Sequence, residues 1–168
     1  LNKIILGLAI VEIIDKSTQD SNPHPVLYRL GWRVLDKLNN ENQNYESIFA
    51  FFLYQFSLRM GFMPNLSNCG KCNSKIIQGG IDVSIGELIC SDCISHSDNQ
   101  LYSFSIINKL ISLHLDELIT VSRKKKEIRD SIQLLYAFLS YHIEGLKKVK
   151  SMEMVRSILN EEDNNNMY

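Results

Sequence analysis

The sequence predicts a mainly α-helical bundle, interrupted by one small insert that contains all four cysteines and a short β-hairpin. Apolar residues recur at helical spacing on both sides of the insert, and strand-like alternation is confined to the stretch between the cysteine pairs. A chain of 168 residues with 45% hydrophobic content is long enough to build a proper core. We predict a first helical part at 1–66, the insert at 67–98, a second helical part at 99–159 and a disordered acidic tail at 160–168.

Three helices are predicted before the insert. The first, at 1–15, is apolar on nearly every face, which is typical of a helix buried on several sides. A loop rich in Pro, Asn and Ser at 17–25 leads to the second helix at 26–38, and the third follows at 45–60. Gly61 is expected to end the third helix, because glycine readily adopts the left-handed conformation found after helices.

Two further helices are predicted after the insert. The first covers about 105–120, and the second begins near Lys125. The apolar stripe of the second helix is spaced by three or four residues throughout: Ile128, Ile132, Leu135, Leu139, Ile143 and Leu146.

Aromatic residues are concentrated in the second and third helices. The third carries the densest group, which we expect in the core although stacking on single-stranded bases is the alternative: Phe49, Phe51, Phe52, Tyr54 and Phe56. Tyr28 and Trp32 lie four residues apart on the second helix, and we predict that they are core residues as well.

The four cysteines form two Cys-x-x-Cys pairs that are separated by seventeen residues: Cys69, Cys72, Cys90 and Cys93. This spacing is typical of a four-thiolate zinc site, because each short turn directs two sulfurs toward one point and a hairpin brings the turns together. Alternating Ile81, Val83 and Ile85 suggest the first strand, with a turn at Gly86-Glu87. Asn73 tolerates the left-handed backbone that such cysteine turns need.

Disulfides and a redox dithiol are the alternatives for the same residues. Four cysteines allow three disulfide connectivities, but nothing in the sequence indicates secretion. A redox Cys-x-x-Cys normally sits in a βαβ unit, and none is predicted here. His96 could replace one cysteine as a ligand, although a loop histidine without a role is the simpler interpretation.

Four thiolates close the coordination sphere, so one structural Zn²⁺ is expected rather than a catalytic ion with an open position. His24, His114 and His142 are scattered, and no nucleophile–base arrangement is recognisable. We therefore expect no enzymatic activity, and a metal-dependent hydrolase is disfavoured by the saturated site.

The arrangement resembles the C-terminal part of the RecO family of DNA-repair recombination mediators. The similarity rests on Gly61-Phe62-x-Pro64 before the first cysteine pair, Gly86 before the second pair, and Val149-Lys150-Ser151 near the end. The stretch "IVEIIDKSTQDSNPHPVLYRLGWRVLDKL" is similar to the family's first helices after its N-terminal domain. Glu87 stands where the family usually has a second glycine, and the family's N-terminal oligonucleotide-binding (OB-fold) barrel is absent from these residues.

The resemblance implies a non-enzymatic mediator that loads recombinase onto single strands coated by single-stranded-DNA-binding protein. It also implies RecR as a partner, annealing of complementary strands, and contact with single- and double-stranded DNA mostly through the N-terminal barrel. The helical domain is the part expected to capture the acidic, Phe-ending tail of single-stranded-DNA-binding protein. A zinc-stapled protein-interaction module unrelated to DNA metabolism is the rival hypothesis.

Charge is unevenly distributed although the formal net charge is only −1. Between Arg123 and Arg156 nine basic residues face four acidic ones. An anionic partner, either DNA or the acidic tail, is expected at the basic end, and a solvated loop is the alternative. The candidate binding residues are Arg123, Lys124, Lys125, Lys126, Arg129, Lys147, Lys148 and Lys150.

Residues 1–14 form the most apolar region, but Lys3 and Glu12 interrupt it. It is too short and too charged to span a bilayer, and it lacks the cleavage pattern of a signal peptide. We expect no membrane association and part of a longer bacterial protein, located in the cytoplasm and associated with the nucleoid when active.

Overall fold

A computed structural model describes residues 1–18, 24–62, 65–82, 85–94, 102–103 and 125–164. Its α-helices are α1 (Asn2–Ser17), α2 (Pro25–Asn40), α3 (Tyr45–Arg59), α4 (Lys125–His142) and α5 (Ser151–Asn164). Its strands are β1 (Gln78–Asp82), β2 (Glu87–Cys90) and β3 (Tyr102–Ser103). The helix predicted at 105–120 lies outside the described residues, as do His96, Arg123 and Lys124.

The helices α1, α2 and α3 pack against one another, and α4 packs on α3. Pro25 opens α2, where its missing N–H costs nothing because the first helical N–H groups have no partner within the helix. Gly61 has a φ of 78°, so the predicted glycine stop after α3 is confirmed.

The aromatic side chains of α3 form the centre of the core. Phe49, Phe52 and Phe56 are fully buried, and their ring centroids are 6.1 Å and 5.7 Å apart in succession. Phe51 and Tyr54 are also buried, at 7% and 2% exposure. The prediction that this aromatic group belongs to the core is confirmed.

The same prediction is wrong for Tyr28 and Trp32, which are 72% and 62% exposed. The buried stripe of α2 instead consists of Leu27, Leu30, Gly31, Val34 and Leu38. Tyr28 and Trp32 share a helical face with each other, since they are four residues apart, but that face points away from α1 and α3.

The predicted final helix is in fact two helices joined by a short 3-10 segment at Glu144–Lys148. Helix α4 ends at His142 because Ile143 is extended, with φ −122° and ψ 103°. A Cβ at Gly145 would lie 2.1 Å from the carbonyl oxygen of Lys16, so glycine permits the chain to turn against the end of α1. Helix α5 then packs along α1 and continues to Asn164, so the prediction of a disordered tail is wrong for residues 160–164.

A three-stranded antiparallel sheet contains the predicted hairpin, in the order β2-β1-β3. Gly79 pairs with Cys90 and Ile81 with Leu88, while Gly79 also pairs with Tyr102 on the other side. The first strand ends at Asp82 rather than continuing to Ile85, which lies in the turn and is 45% exposed. Gly86 lies in the turn as predicted, with a φ of 68°, whereas Glu87 already begins β2.

The apolar side chains of the hairpin join the same core as the helices. They include Ile76, Ile81, Leu88, Ile89 and Ile94, which are all buried. The hairpin and β3 both contact α4. The cysteine insert is therefore seated on the helical bundle and does not extend from it as a separate lobe.

None of the described helices combines the length and the apolar character that crossing a bilayer requires.

Candidate metal centre

The fold brings the sulfurs of Cys69, Cys72, Cys90 and Cys93 together, with every Sγ atom within 4.8 Å of the others. The Sγ atoms of Cys72 and Cys90 are 3.7 Å apart. In a tetrahedron with metal–sulfur bonds of about 2.3 Å the sulfurs are about 3.8 Å apart. The cluster thus has the dimensions that a tetrahedral metal ion requires, and all four cysteines are free rather than disulfide-bonded.

The first cysteine turn is held by backbone hydrogen bonds. The N–H of Asn73 donates to the carbonyl oxygen of Cys69 at 2.9 Å, and the N–H of Lys71 donates to the Sγ of Cys69 at 3.4 Å. Asn73 has a φ of 57°, which confirms that this position needs a left-handed backbone. The N–H of Gly70 donates to the carbonyl oxygen of Leu88 at 2.9 Å and so fixes this turn against β2.

The second cysteine turn is also held by a backbone hydrogen bond and is linked directly to the first. The N–H of Cys93 donates to the carbonyl oxygen of Cys90 at 3.1 Å. The N–H of Cys90 donates to the Sγ of Cys69 at 3.3 Å. Hydrogen bonds from backbone N–H groups to the sulfurs orient them toward a common centre and stabilise thiolate charge.

The thiols of Cys69, Cys72 and Cys93 differ in their tendency to ionise. Burial raises the pKa of the Cys69 thiol, but N–H groups of Cys72, Cys90 and Lys71 outweigh this and lower the pKa from 9.0 to about 6. The hydroxyl and backbone N–H of Ser74 lower the pKa of Cys72. Hydrogen bonds with the sulfurs of Cys72 and Cys90 raise the pKa of Cys93 to about 12. Only a cation placed among the sulfurs would allow all four to be thiolates together.

A cationic side chain lies beside the cluster. Lys71 forms an ion pair with Asp82 of β1, and hydrogen bonding to that carboxylate raises the pKa of Lys71. The nearby Cys93 and Cys69 raise the same pKa further. The lysine therefore remains charged and partly balances the negative charge that thiolates would bring to this region.

The hairpin turn is locked to the end of α4 through Gly86 and His142. The Nε2 atom of His142 lies 3.2 Å from the carbonyl oxygen of Gly86, and the histidine ring stacks on Phe62 with centroids 5.0 Å apart. Gly86 has a φ of 68°, and a Cβ there would lie 2.2 Å from a ring carbon of Tyr141. Only glycine fits this position. The ribbon is defined here as residues 65–94. The contacts of its turn with His142 and Tyr141 fix it relative to the helical bundle.

A second long-range contact joins the two ends of the chain, and it has no signal in the sequence. The carboxylate of Glu12 in α1 accepts hydrogen bonds from the N–H of Lys150 at 3.0 Å, the N–H of Ser151 at 2.9 Å and the Ser151 hydroxyl at 2.7 Å. These N–H groups open α5, where helices lack internal acceptors and favour negative charge. The Lys150-Ser151 pair of the sequence signature is thus a capping contact.

The candidate basic residues differ in their solvent exposure. Lys126, Lys147, Lys148 and Lys150 are exposed, whereas Arg129 is buried at 5% exposure. Lys125 opens α4. Binding of an external partner by Arg129 would require access that its burial does not give, so this residue does not belong to the exposed basic surface.

The molecule is therefore a helical domain that carries an integrated four-cysteine metal-site ribbon. Within this class the chain belongs to the RecO family, because the family model described as "Recombination protein O C terminal" matches residues 1–153.

Named relatives cover nearly the whole chain. It is similar to "DNA repair protein RecO" of Streptococcus sanguinis (strain SK36), with 26% identity over 163 residues, which is 92% of this chain and 63% of that protein. The protein of the same name from Desulfatibacillum aliphaticivorans is 26% identical over 167 residues, which is 94% of this chain and 64% of that protein. The one from Bacillus pumilus (strain SAFR-032) is 23% identical over 164 residues, with shares of 92% and 63%. The chain thus spans less than two thirds of these relatives' length.

Proposed function

We propose that this chain is the helical and metal-binding part of a DNA-repair recombination mediator, and that it catalyses no reaction itself. The observation that carries the proposal is the family match across the helices and the ribbon together, at residues 1–153. The name of these relatives, DNA repair protein RecO, supports the repair role. In this role the whole protein helps load recombinase on single strands coated by single-stranded-DNA-binding protein, acts with RecR and anneals strands.

The ribbon is proposed to hold one structural Zn²⁺ through Cys69, Cys72, Cys90 and Cys93. The sulfur spacing supports a tetrahedral ion, and four thiolates leave no position for water or substrate. Zinc bound in this way would stabilise the ribbon and would take no part in chemistry. The chain's own N–H groups, those of Lys71 and Cys90, would hold the Cys69 thiolate in place.

The helical body offers a slot for the terminal Phe of the acidic tail of single-stranded-DNA-binding protein. A cavity of about 280 Å³ lies between α4 and α5, close to the lower limit of about 300 Å³ for small-ligand pockets. The side chains of Ile132, Met152 and Leu159 form its apolar floor, and all three are at most 3% exposed.

A charged group at this slot, the Arg156 guanidinium, suits the carboxyl end of a peptide. The Arg156 guanidinium lies 6.0 Å from the centroid of the Tyr136 ring, and Arg156 itself is exposed, so it could pair with a terminal carboxylate. An apolar floor beside a cation is the combination that a Phe-ending acidic peptide requires.

The test is a fluorescence anisotropy titration of the chain with the terminal peptide of single-stranded-DNA-binding protein, labelled at its N-terminus. A scrambled peptide of the same charge is the ligand control. Arg156→Glu tests the slot, and Arg33→Glu, a charge-matched change on exposed α2, is the protein control. Lys148→Glu asks whether the basic 3-10 segment contributes.

We expect saturable binding that requires the terminal Phe and weakens at least tenfold in Arg156→Glu but not in Arg33→Glu. If Lys148→Glu alone weakens peptide binding, the docking site would be assigned to the basic 3-10 segment instead. Equal binding of the scrambled peptide, or no binding, would reject tail capture by this part of the protein and favour a zinc-stapled module with other partners.

A further inference from the structure

The outer face of α2 carries two aromatic rings and two guanidinium groups in register. Tyr28 and Trp32 are one helical turn apart and are 72% and 62% exposed. Arg29 and Arg33 follow them at the same spacing and are also exposed. The four side chains line a shallow depression of about 340 Å³.

The core does not account for these rings. The opposite face of α2, from Leu27 to Leu38, makes its contacts with α1 and α3. A tyrosine and a tryptophan that remain exposed to water do not contribute the stabilisation that burial of such large rings normally gives. Their placement side by side therefore points to a ligand that the rings can contact.

The charge around the rings is positive and poorly balanced. Arg29 and Arg33 form no ion pair within the part of the chain that the structure describes. Arg59 of α3 lies close enough that burial and the charge of Arg33 both lower its pKa. Asp36 is the nearby acidic residue on α2, and it accepts a hydrogen bond from Asn40 at 3.2 Å. An anion at this face would relieve the repulsion between the guanidinium groups.

We propose that the Tyr28–Trp32 face of α2 is a stacking platform for single-stranded nucleic acid. Bases would stack on the two rings, and the guanidinium groups of Arg29, Arg33 and Arg59 would contact the phosphates. Every base has a π-face, so the platform would tolerate any sequence. The site shares no residue with the α4–α5 slot, and its test is independent of peptide capture.

The shape of the site favours nucleic acid over an acidic peptide. The described residues that line the depression all come from one helix, so within this part of the chain they form an open surface without a second wall. Capture of a terminal Phe needs an enclosed apolar slot, whereas a base needs only the face of a ring. A duplex is disfavoured as well, because its bases are already stacked on one another.

Trp32 is the chain's only tryptophan, so its fluorescence reports directly on this face. The full chain is titrated with a twenty-nucleotide oligothymidine, with a duplex of equal length and with the acidic tail peptide. Tyr28→Ala removes one ring and keeps the reporter. Arg33→Gln removes one phosphate contact, and Lys75→Gln is the matched control at an exposed residue of the ribbon. Trp32→Ala is followed by anisotropy of a labelled oligonucleotide, and circular dichroism confirms that each variant is folded.

Saturable quenching by the oligothymidine is expected, with little quenching by the duplex. Tyr28→Ala and Trp32→Ala should each weaken binding about tenfold. Arg33→Gln should lower the slope of log affinity against log salt by about 0.7, and Lys75→Gln should leave it unchanged. Absence of quenching, or affinities unaffected by loss of either ring, would overturn the proposal. Preferential quenching by the acidic peptide would also overturn it and assign the face to a protein partner.

Discussion

The helical body, defined as α1 to α5, and the ribbon are stabilised by different means. Helix α3 buries aromatic rings completely, and these contacts stabilise the body mainly through the hydrophobic effect. The ribbon buries a few aliphatic side chains and adds four converging sulfurs. A segment of about 30 residues is below the size at which a core suffices, so we expect the ribbon to depend on a metal ion held by these sulfurs and on its contact with α4.

Metal removal should have the largest effect of the changes considered, and it should destabilise the ribbon but not the helical body. Loss of a structural Zn²⁺ from four thiolates removes about 10 kcal/mol of apparent binding free energy, because the folded ribbon and the ion stabilise each other. We expect a strong chelator, or Cys90→Ala, to remove the metal and unfold the ribbon while the helical signal persists. Metal analysis, circular dichroism and hydrogen exchange at residues 65–94 measure this outcome.

Ser91→Ala is the control for Cys90→Ala, because Ser91 is exposed and its hydroxyl donates a hydrogen bond to the neighbouring Asp92. It should keep one metal ion per chain. Unchanged metal content and stability in Cys90→Ala would show that the ribbon does not depend on the site.

Phe52→Ala should weaken the body without releasing metal. Phe52 is fully buried between the rings of Phe49 and Phe56, so its truncation leaves a cavity that costs about 3–5 kcal/mol of unfolding free energy. Urea denaturation followed by circular dichroism measures the loss. Leu58→Ala, on the same helix but 39% exposed, should cost about 1 kcal/mol or less. Equal losses for the two variants would contradict the proposed importance of the aromatic core.

Glu12→Gln should produce the smallest effect, at the contact between α1 and the start of α5. Hydrogen bonds from the hydroxyl and the N–H of Ser151 lower the pKa of the Glu12 carboxyl below 4.5. The stabilisation is therefore complete above pH 4.5 and is lost as the pH falls through the lowered folded-state pKa. Since Glu12 is partly exposed, we expect the change to cost about 1 kcal/mol at neutral pH.

The pH dependence of the stability lost in Glu12→Gln shows whether the loss comes from charge or from packing. The difference in unfolding free energy between the unmodified chain and Glu12→Gln should shrink as the pH falls below 4.5, because the unmodified carboxyl becomes neutral as well. Asp15→Asn is the control, since Asp15 lies on the same helix with its side chain 69% exposed. A difference that stays constant with pH would point to packing rather than charge.

The elements that the sequence predicted well are those with strong local signals. Apolar spacing and the Pro25 and Gly61 boundaries located α1 to α3 within two residues at most ends. Helix α5 has an Asn-rich end, and its packing on α1 and the Glu12 cap come from residues far away in the chain. Propensity over a short window contains no information about such partners.

The errors on individual side chains have a similar origin. Tyr28 and Trp32 have helical spacing, but spacing alone does not tell which face of a helix meets its neighbours. Alternation at Ile81, Val83 and Ile85 indicated a strand, whereas its end was decided by the close contact of Gly86 with Tyr141 and by the hydrogen bonds back to Asp82. Arg129 is polar and was expected at the surface, yet the packing of α4 buries it.

The sequence by itself determined the helical character of the chain and the four-sulfur composition of its candidate metal site. Both follow from short-range rules: the helical repeat is set within one turn, and the Cys-x-x-Cys gap directs two sulfurs to one point. Tertiary structure alone decided that the ribbon is fixed to α4 through His142, that Glu12 caps a helix 139 residues away, and that two aromatic rings face water. These depend on which surfaces meet after folding, and packing between distant segments sets that outcome.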